Sequence, residues 1–237
     1  MIEMNALGQP VGPLLPDWAP PPAPTRMSMQ GRYCRLEPLA LDHAPALYEA
    51  FSEDQTGGLW TYMPRGPFDS IDAYRQWMWG AVQSADPLHY AILVDGRPLG
   101  SASYLRIAPG AGSIEVGWIT YAPALQRTRA ATEAMYLMMR WAFDAGYRRY
   151  EWKCDALNAP SRRAAQRLGF SFEGIFRQAV VVKGRNRDTA WYAAIDRDWP
   201  AIRDAMERWL DPTNFDENGM QHQSLSALTR SALVATG

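Results

Sequence analysis

The segment Gln126-Arg127-Thr128-Arg129-Ala130-Ala131-Thr132-Glu133-Ala134 follows a strand-like run, Ser113–Tyr121, and opens a long helix with an apolar stripe. Two arginines in a first helical turn stand at the wrong end of the helix dipole. That end already presents unpaired N–H groups and a partial positive charge. A bound phosphate fits there. The segment therefore points to a phosphate-bearing ligand near Arg127 and Arg129.

Outward from this segment the chain alternates strand and helix signals. Upstream lie a strand at 27–36, a helix capped by Asp42 with Ala46, Leu47, Ala50 and Phe51 on one face, a loop at 55–67, and a helix at 70–82. Strands at 90–94 and 100–107 are joined by Asp95-Gly96, whose positive φ angles suit a tight hairpin. Downstream come the helix at 127–145 ended by Gly146, a strand at 150–154, and a helix at 160–168 ended by Gly169. Strands at 170–176, 179–182 and 189–195 surround Lys183-Gly184-Arg185, and a last helix spans 200–210. Such a pattern is a mixed α/β (α+β) sheet, not an alternating doubly wound one. The proline-rich stretch 1–25 reads as an extended arm, 26–210 as one domain, and 211–237 as a loosely ordered or docking tail.

The 237 residues carry a formal net charge of -1, which argues against a general nucleic-acid binder. Cys34 and Cys154 make neither a disulfide framework nor zinc spacing, and His43, His89 and His222 have no metal-ligand spacing. Both cysteines read as core thiols. With no signal-peptide pattern and no membrane-length apolar run, the expected setting is cytoplasmic, without membrane or metal.

Three segments together resemble the GNAT acyltransferase superfamily, in the branch similar to enzymes that acetylate ribosomal-protein N-termini. They are Ile114-Glu115-Val116-Gly117-Trp118, the stretch from Gln126 to Ala134, and Asn158-Ala159-Pro160-Ser161 followed by Arg167-Leu168-Gly169-Phe170. The resemblance covers roughly 31–199. It implies a twisted, mostly antiparallel sheet flanked by helices, with acetyl-CoA as acyl donor. Gln126 and Ala131 fit the family's pyrophosphate loop, but Arg129 stands where that loop has glycine, which normally allows close backbone approach. Arg129 meets the same need if its backbone is helical, its side chain adding a charged contact to phosphate.

The resemblance implies direct attack by an amine within a ternary complex, so orientation and a preorganised oxyanion donor carry much of the rate. Glu115, among Ile114, Val116 and Trp118, is the candidate general base; the plainer reading is a structural carboxylate paired with an arginine across the sheet. Ser161 is the candidate acid for the leaving thiolate, or simply a polar residue of a first helical turn. Asn158 suits the amide-rich pantetheine arm or a helix cap. By resemblance, the backbone of Ile119, Thr120 and Tyr121 pairs with that arm, and Gln126, Arg127, Thr128, Arg129, Ala130, Ala131 and Thr132 hold the pyrophosphate. Arg162, Arg163 and Arg167 form a basic face that reads as solvated more readily than as a phosphate contact.

The acceptor pocket is expected from the early helices, their loop and the late hairpin, with Trp60, Tyr62, Arg65, Tyr104 and Phe176 as candidates. Trp77, Trp141 and Trp209 read as core, and His89 as a remote stand-in base. The expected activity is N-acetylation of a primary amine, either a small metabolite or a peptide N-terminus. The near-neutral charge and aromatic loop lean toward the small molecule. Two other classes compete: a non-catalytic acyl-CoA-binding module, and a protein-interaction module using arm and tail. Because members of the resembling family commonly dimerise, a homodimer is the expected assembly.

Overall fold

Asp95 and Gly96 both take positive φ, 49° and 78°, and the turn they make folds two long strands against each other. The computed structural model describes residues 2–237. Its arm forms a small hairpin, β1 (Glu3–Met4) with β2 (Pro10–Val11). Then follow β3 (Met29–Gln30), β4 (Arg35–Pro38), α1 (Ala44–Ser52), α2 (Ile71–Gln83), β5 (Leu88–Val94), β6 (Arg97–Ala108) and β7 (Ser113–Tyr121). The second half runs α3 (Arg129–Asp144), β8 (Arg149–Asp155), α4 (Ala159–Arg167), β9 (Ser171–Val182), β10 (Arg185–Ile195), α5 (Trp199–Leu210) and α6 (Leu225–Thr229).

One eight-stranded sheet has the order β3-β4-β5-β6-β7-β8-β10-β9. Every neighbouring pair is antiparallel except β7 with β8. That parallel pairing starts at Ser113↔Arg149 and stops at Val116↔Trp152. Beyond it β7 keeps only β6 as a partner, whereas β8 continues along β10 to Asp155. The two strands therefore fork. At the fork β7 is bulged: the register with β6 slips between Ser101 and Ser103, and Trp118 takes φ 52°.

Strand alternation sends Ile114, Val116, Tyr150, Trp152, Ala190 and Tyr192 to one face, where α3, α4 and α5 build the larger core. On the opposite face α1 and α2 pack Leu47, Phe51, Tyr74 and Met78 over Ala91 and Leu93 of β5, and α1 also lies against β6, whose Leu99 joins the same cluster. Among the described residues no helix covers the face of β7, β8, β10 and β9 beyond it.

α3 fastens to the β3–β4 turn through Glu133, whose buried carboxylate accepts the backbone N–H groups of Arg32 (2.8 Å), Tyr33 (2.6 Å) and Cys34 (2.9 Å). A Cβ on Gly31 would collide with that carboxylate, which is why glycine stands there. The single strand expected at 27–36 is thus two short strands folded around this turn. Asp42 does not cap α1; it lies in a 3₁₀ turn, Leu41–His43, and α1 begins after it without a side-chain cap. The two strands expected at 170–176 and 179–182 form one, β9, in which Gln178 turns to φ 50° and donates to Asp188 Oδ1 at 2.7 Å.

The ends are docked. Pro22 O and Thr25 O accept the phenols of Tyr147 and Tyr90. The tail inserts Leu225 and Thr229 into the body, and Phe172 donates its N–H to Ala235 O. Among the described residues no helix is long and apolar enough to cross a membrane.

Truncating Glu133 to Ala strands three backbone donors beneath α3. The expected loss is about 3 kcal/mol of unfolding free energy, from unsatisfied buried N–H groups. A denaturant titration reads it as a lower midpoint with an unchanged slope. A loss below about 1 kcal/mol would mean that water takes over the three donors.

Candidate active site

Past Val116 the free edge of β7 faces the diverging end of β8, and the chain then turns into α3. Arg127 takes φ 61°, Thr128 is the extended N-cap, and its hydroxyl accepts from Ala131 N at 3.1 Å. The N–H groups of Arg127, Thr128, Arg129 and Ala130 make no hydrogen bond among the described residues. Successive free N–H groups at a left-handed residue and a helix start form an anion-binding concavity. Gln126 braces the loop by donating from Nε2 to Tyr121 O at 3.1 Å.

Arg129 starts α3 in helical conformation, so its Cβ carries no left-handed penalty. Its side chain does not turn toward the free N–H groups. The guanidinium lies between the rings of Tyr33 (5.1 Å) and Phe215 (4.5 Å), which corrects the expected phosphate contact. Arg127 is exposed. The basic face of α4 is largely anchored too. Arg162 donates to Tyr192 and Ala156, Arg167 donates to Thr132 Oγ1 while lying over Trp209, and Arg163 alone is solvated.

Glu115 points to the face opposite α3 and is 3% exposed. Lys153 Nζ lies 3.0 Å and Arg106 Nη1 3.5 Å from Glu115 Oε2. Neither is aligned as a hydrogen bond to that oxygen. The Oε1 atom looks along β7 toward Gly117, where an added Cβ would stand 3.4 Å away. Lys153 is shared: it reaches Glu151 Oε2 at 2.6 Å and rests 3.7 Å above the Trp191 ring. Arg149 in turn grips Glu151 and, with two bonds, Glu173.

Desolvation raises the Glu115 pKa above its ordinary value, against the pull of Arg106 and Lys153. Burial pushes Glu151 the same way, but hydrogen bonds from Arg149 and Lys153 outweigh it and hold Glu151 low. Two carboxylates sharing one ammonium are thereby driven apart, a pattern that separates proton-transfer roles. The arginine across the sheet anticipated for Glu115 is present as Arg106. Lys153, Glu151 and Arg149 were missed, although alternate charges at 149, 151 and 153 in a strand mark one shared face.

Ser161 Oγ accepts from Trp152 Nε1 at 3.0 Å, which leaves the hydroxyl as a donor, and it lies beside the buried Cys154 thiol, whose pKa it pulls down against burial. Asn158 Oδ1 accepts from Ser161 N at 3.1 Å and caps α4. Ile119 and Tyr121 turn to the α3 face, while Thr120 turns to the α2 face.

The loop between α1 and α2 closes over the fork. Tyr62 donates to Leu157 O at 3.2 Å, across the mouth between β7 and the β8–α4 turn. From the β9–β10 turn, Lys183 Nζ donates to Trp60 O (2.8 Å) and Gly66 O (2.7 Å). Arg65 donates to Thr120 Oγ1 at 3.2 Å. Trp60 is buried against Phe51 and Phe68, and Phe176 is exposed, stacked on Trp191. Tyr104 does not join this pocket. It is fully buried on the other face and donates to Met138 O at 2.6 Å, because strand alternation puts it with α3. His89 is buried between Trp77 and Trp118, and burial with nearby Arg65 and Arg26 lowers its pKa to about 4.

An Acetyltransferase (GNAT) domain family matches residues 34–171. A GCN5-related N-acetyltransferase from Brucella melitensis is 44% identical, with TM-score 0.89 over 91% of this chain and 100% of that one. The microcin C7 self-immunity acetyltransferase MccE, solved with acetyl-CoA and AMP, shares the fold at 21% identity and TM-score 0.63 over 70% of this chain and 93% of that one. So does a Salmonella typhimurium acetyltransferase that modifies the N-terminal serine of ribosomal protein L7/L12, at 22% identity and TM-score 0.63 over 71% of this chain and 99% of that one. No curated protein matches the sequence.

Replacing Lys153 by Met removes a cation that lowers the Glu115 pKa and leaves the burial that raises it. The Glu115 titration, followed by carbon-13 carboxyl shifts, is therefore expected to move further up. A downward or absent shift would show that Lys153 does not hold Glu115 in solution.

Proposed function

This chain belongs to the GNAT acetyltransferase family, and from that premise we propose an N-acetyltransferase that moves an acetyl group from acetyl-CoA to a primary amine by direct attack in a ternary complex. The observation that carries the reading is the fork: a strand edge without a partner leads into a row of free N–H groups at a helix start. Acetyl-CoA has the matching shape, a peptide-like arm followed by a pyrophosphate. In this reading the backbone of Ile119, Thr120 and Tyr121 takes the arm as an added strand. The N–H groups of residues 127–130 take the pyrophosphate. That MccE was solved with acetyl-CoA on the same fold supports the assignment.

Glu115 is the proposed base. Its Oε2 is fixed by two cations, its Oε1 faces the space that Gly117 leaves, and burial gives it more basicity than a solvated carboxylate. Ser161 is the proposed donor to the leaving thiolate, its lone pair already engaged by Trp152. The loop from Gly57 to Pro67 excludes water from the fork. The enzyme is proposed to act in the cytoplasm. It is proposed to work as a homodimer through β9, the edge strand that exposes Ile175, Phe176, Val180 and Val181.

A base works deprotonated, so kcat/KM is expected to fall as pH drops through the Glu115 pKa, which lies above the ordinary 4.5. Glu115→Gln is expected to cut kcat/KM about 100-fold and abolish that acid limb. An unchanged limb assigns proton removal elsewhere. For the phosphate site, Arg129→Pro deletes one N–H while suiting both the helix start and the extended Thr128 before it. Coenzyme A affinity by calorimetry is expected to weaken about tenfold in Arg129→Pro relative to Arg129→Gln, the loss of one charge-assisted bond. Equal affinities would remove the pyrophosphate from this loop.

A further inference from the structure

Arg65 is the one charged side chain of the α1–α2 loop buried in the body, at 8% exposure. Its guanidinium is clamped between two indoles, with Cζ 4.2 Å from the Trp77 ring centre and 4.6 Å from that of Trp118. A guanidinium has five N–H donors. One bond is made, from Nη2 to Thr120 Oγ1, while Nε and Nη1 are buried without a partner. No carboxylate forms an ion pair with Arg65 among the described residues. The neighbours cannot supply an anion. Burial raises the Tyr74 phenol well out of the neutral range, and His89, its Nδ1 also buried and unpartnered, is held neutral. Two indole faces offset part of the cost of burying this charge. The rest is uncompensated within the described residues.

Resting on the acyl-transfer reading above, we propose that Arg65 anchors a carboxylate on the acceptor, so that the acceptor is a free amino carboxylate rather than the N-terminus of a protein. Thr120, which accepts from the guanidinium, belongs to the stretch of β7 assigned to the acyl donor's arm, Trp118 immediately precedes that stretch, and Glu115 lies on the same strand and face. An anion on Arg65 therefore sits beside the acetyl group's path. The two unpartnered donors, Nε and Nη1, suit the paired oxygens of a carboxylate. A backbone N-terminus has an amide carbonyl where an amino acid has this charge, and would leave Arg65 without its counter-ion.

The test uses the full-length enzyme with acetyl-CoA and thiol release. The acceptors are α-amino acids, ω-amino acids of increasing length, the carboxamides of each, and peptides with blocked C-termini. The best acid is expected to exceed its own amide at least 100-fold in kcat/KM, since a site built for a polar partner rejects the analogue lacking it. Arg65→Met is expected to erase that preference through KM, with kcat changed less than threefold. Equal use of acids and amides, or peptides matching the best acid, overturns the proposal. So does a fall in kcat at constant KM, which would make Arg65 a donor to the reacting carbonyl. The acid–amide comparison needs only the wild-type enzyme, so a poorly folding variant does not remove it. If no amine releases thiol, the acyl-transfer reading fails and the anion site is judged by thermal shift without acetyl-CoA. There, amino acids are expected to raise the midpoint of the wild type and not of Arg65→Met, with their amides inert. No shift with any of the acids overturns the site.

Discussion

The parallel pairing of β7 with β8 ends at Val116, and the rest of the site depends on that ending. Two parallel strands that kept pairing would close their edges on each other and leave nothing for a ligand. Here β7 bulges at Trp118 and follows β6, while β8 follows β10. Gly117 makes the departure feasible, since a Cβ there would stand 2.9 Å from Leu105. The bulge also resets alternation. Before it Ile114 and Val116 face α3; after it Ile119 and Tyr121 do, and Trp118 and Thr120 turn to Arg65. One irregular residue thus frees a strand edge, aims the strand at the start of α3, and brings two side chains to the loop between α1 and α2.

The same sheet face buries two cations, with opposite outcomes. Lys153 has Glu115, Glu151 and the Trp191 ring around it, so its charge is compensated within the protein. Arg65 has indoles and a hydroxyl but no carboxylate. A folded chain tolerates the second arrangement only where other packing over-determines it. The loop is pinned by Lys183 at Trp60 and Gly66, and by Tyr62 at Leu157. All of these bonds end on backbone carbonyls, so they hold the Arg65 cation in place without supplying it a counter-charge.

Periodicity and turn chemistry made the regular parts legible. The Asp95-Gly96 turn, the run from Ser113 to Tyr121 and the Ser70-capped α2 stand where local signals put them. Signals confined to a few residues misled where long-range contacts decide. Asp42 has cap chemistry, but a 3₁₀ turn intervenes before α1. Met27 to Leu36 reads as one strand because nothing local announces that Glu133, a hundred residues away, will gather three N–H groups of its turn. Tyr104 resembles a pocket aromatic by composition, yet its place in the strand alternation commits it to the core. Glu115 was visible as a buried acid. Its cations were harder to foresee because Lys153 reaches it only through the brief pairing of β7 with β8. The isolation of Arg65 was not legible at all, since the absence of a counter-ion is a property of the assembled fold.

Arg129 shows how the loop before α3, to which we assign the pyrophosphate, manages without the family's usual glycine. The position that needs left-handed backbone is Arg127, and a non-glycine residue there costs about 1 kcal/mol or more. Arg129 itself is helical, so a side chain is free to be used. It is used for packing: the guanidinium binds Tyr33 of the β3–β4 turn to Phe215 of the tail. One helical turn further on, Glu133 grips the backbone of that same turn. Positions four apart share a helix face, so the two residues clamp one target from one side of α3. The first turn of α3 is thereby fixed from outside the loop, by the chain's early hairpin and its C-terminal tail together. Glycine would leave the free N–H groups accessible but mobile. Arginine keeps their backbone helical and holds it still, and donors already in position lose less ordering entropy when an anion binds.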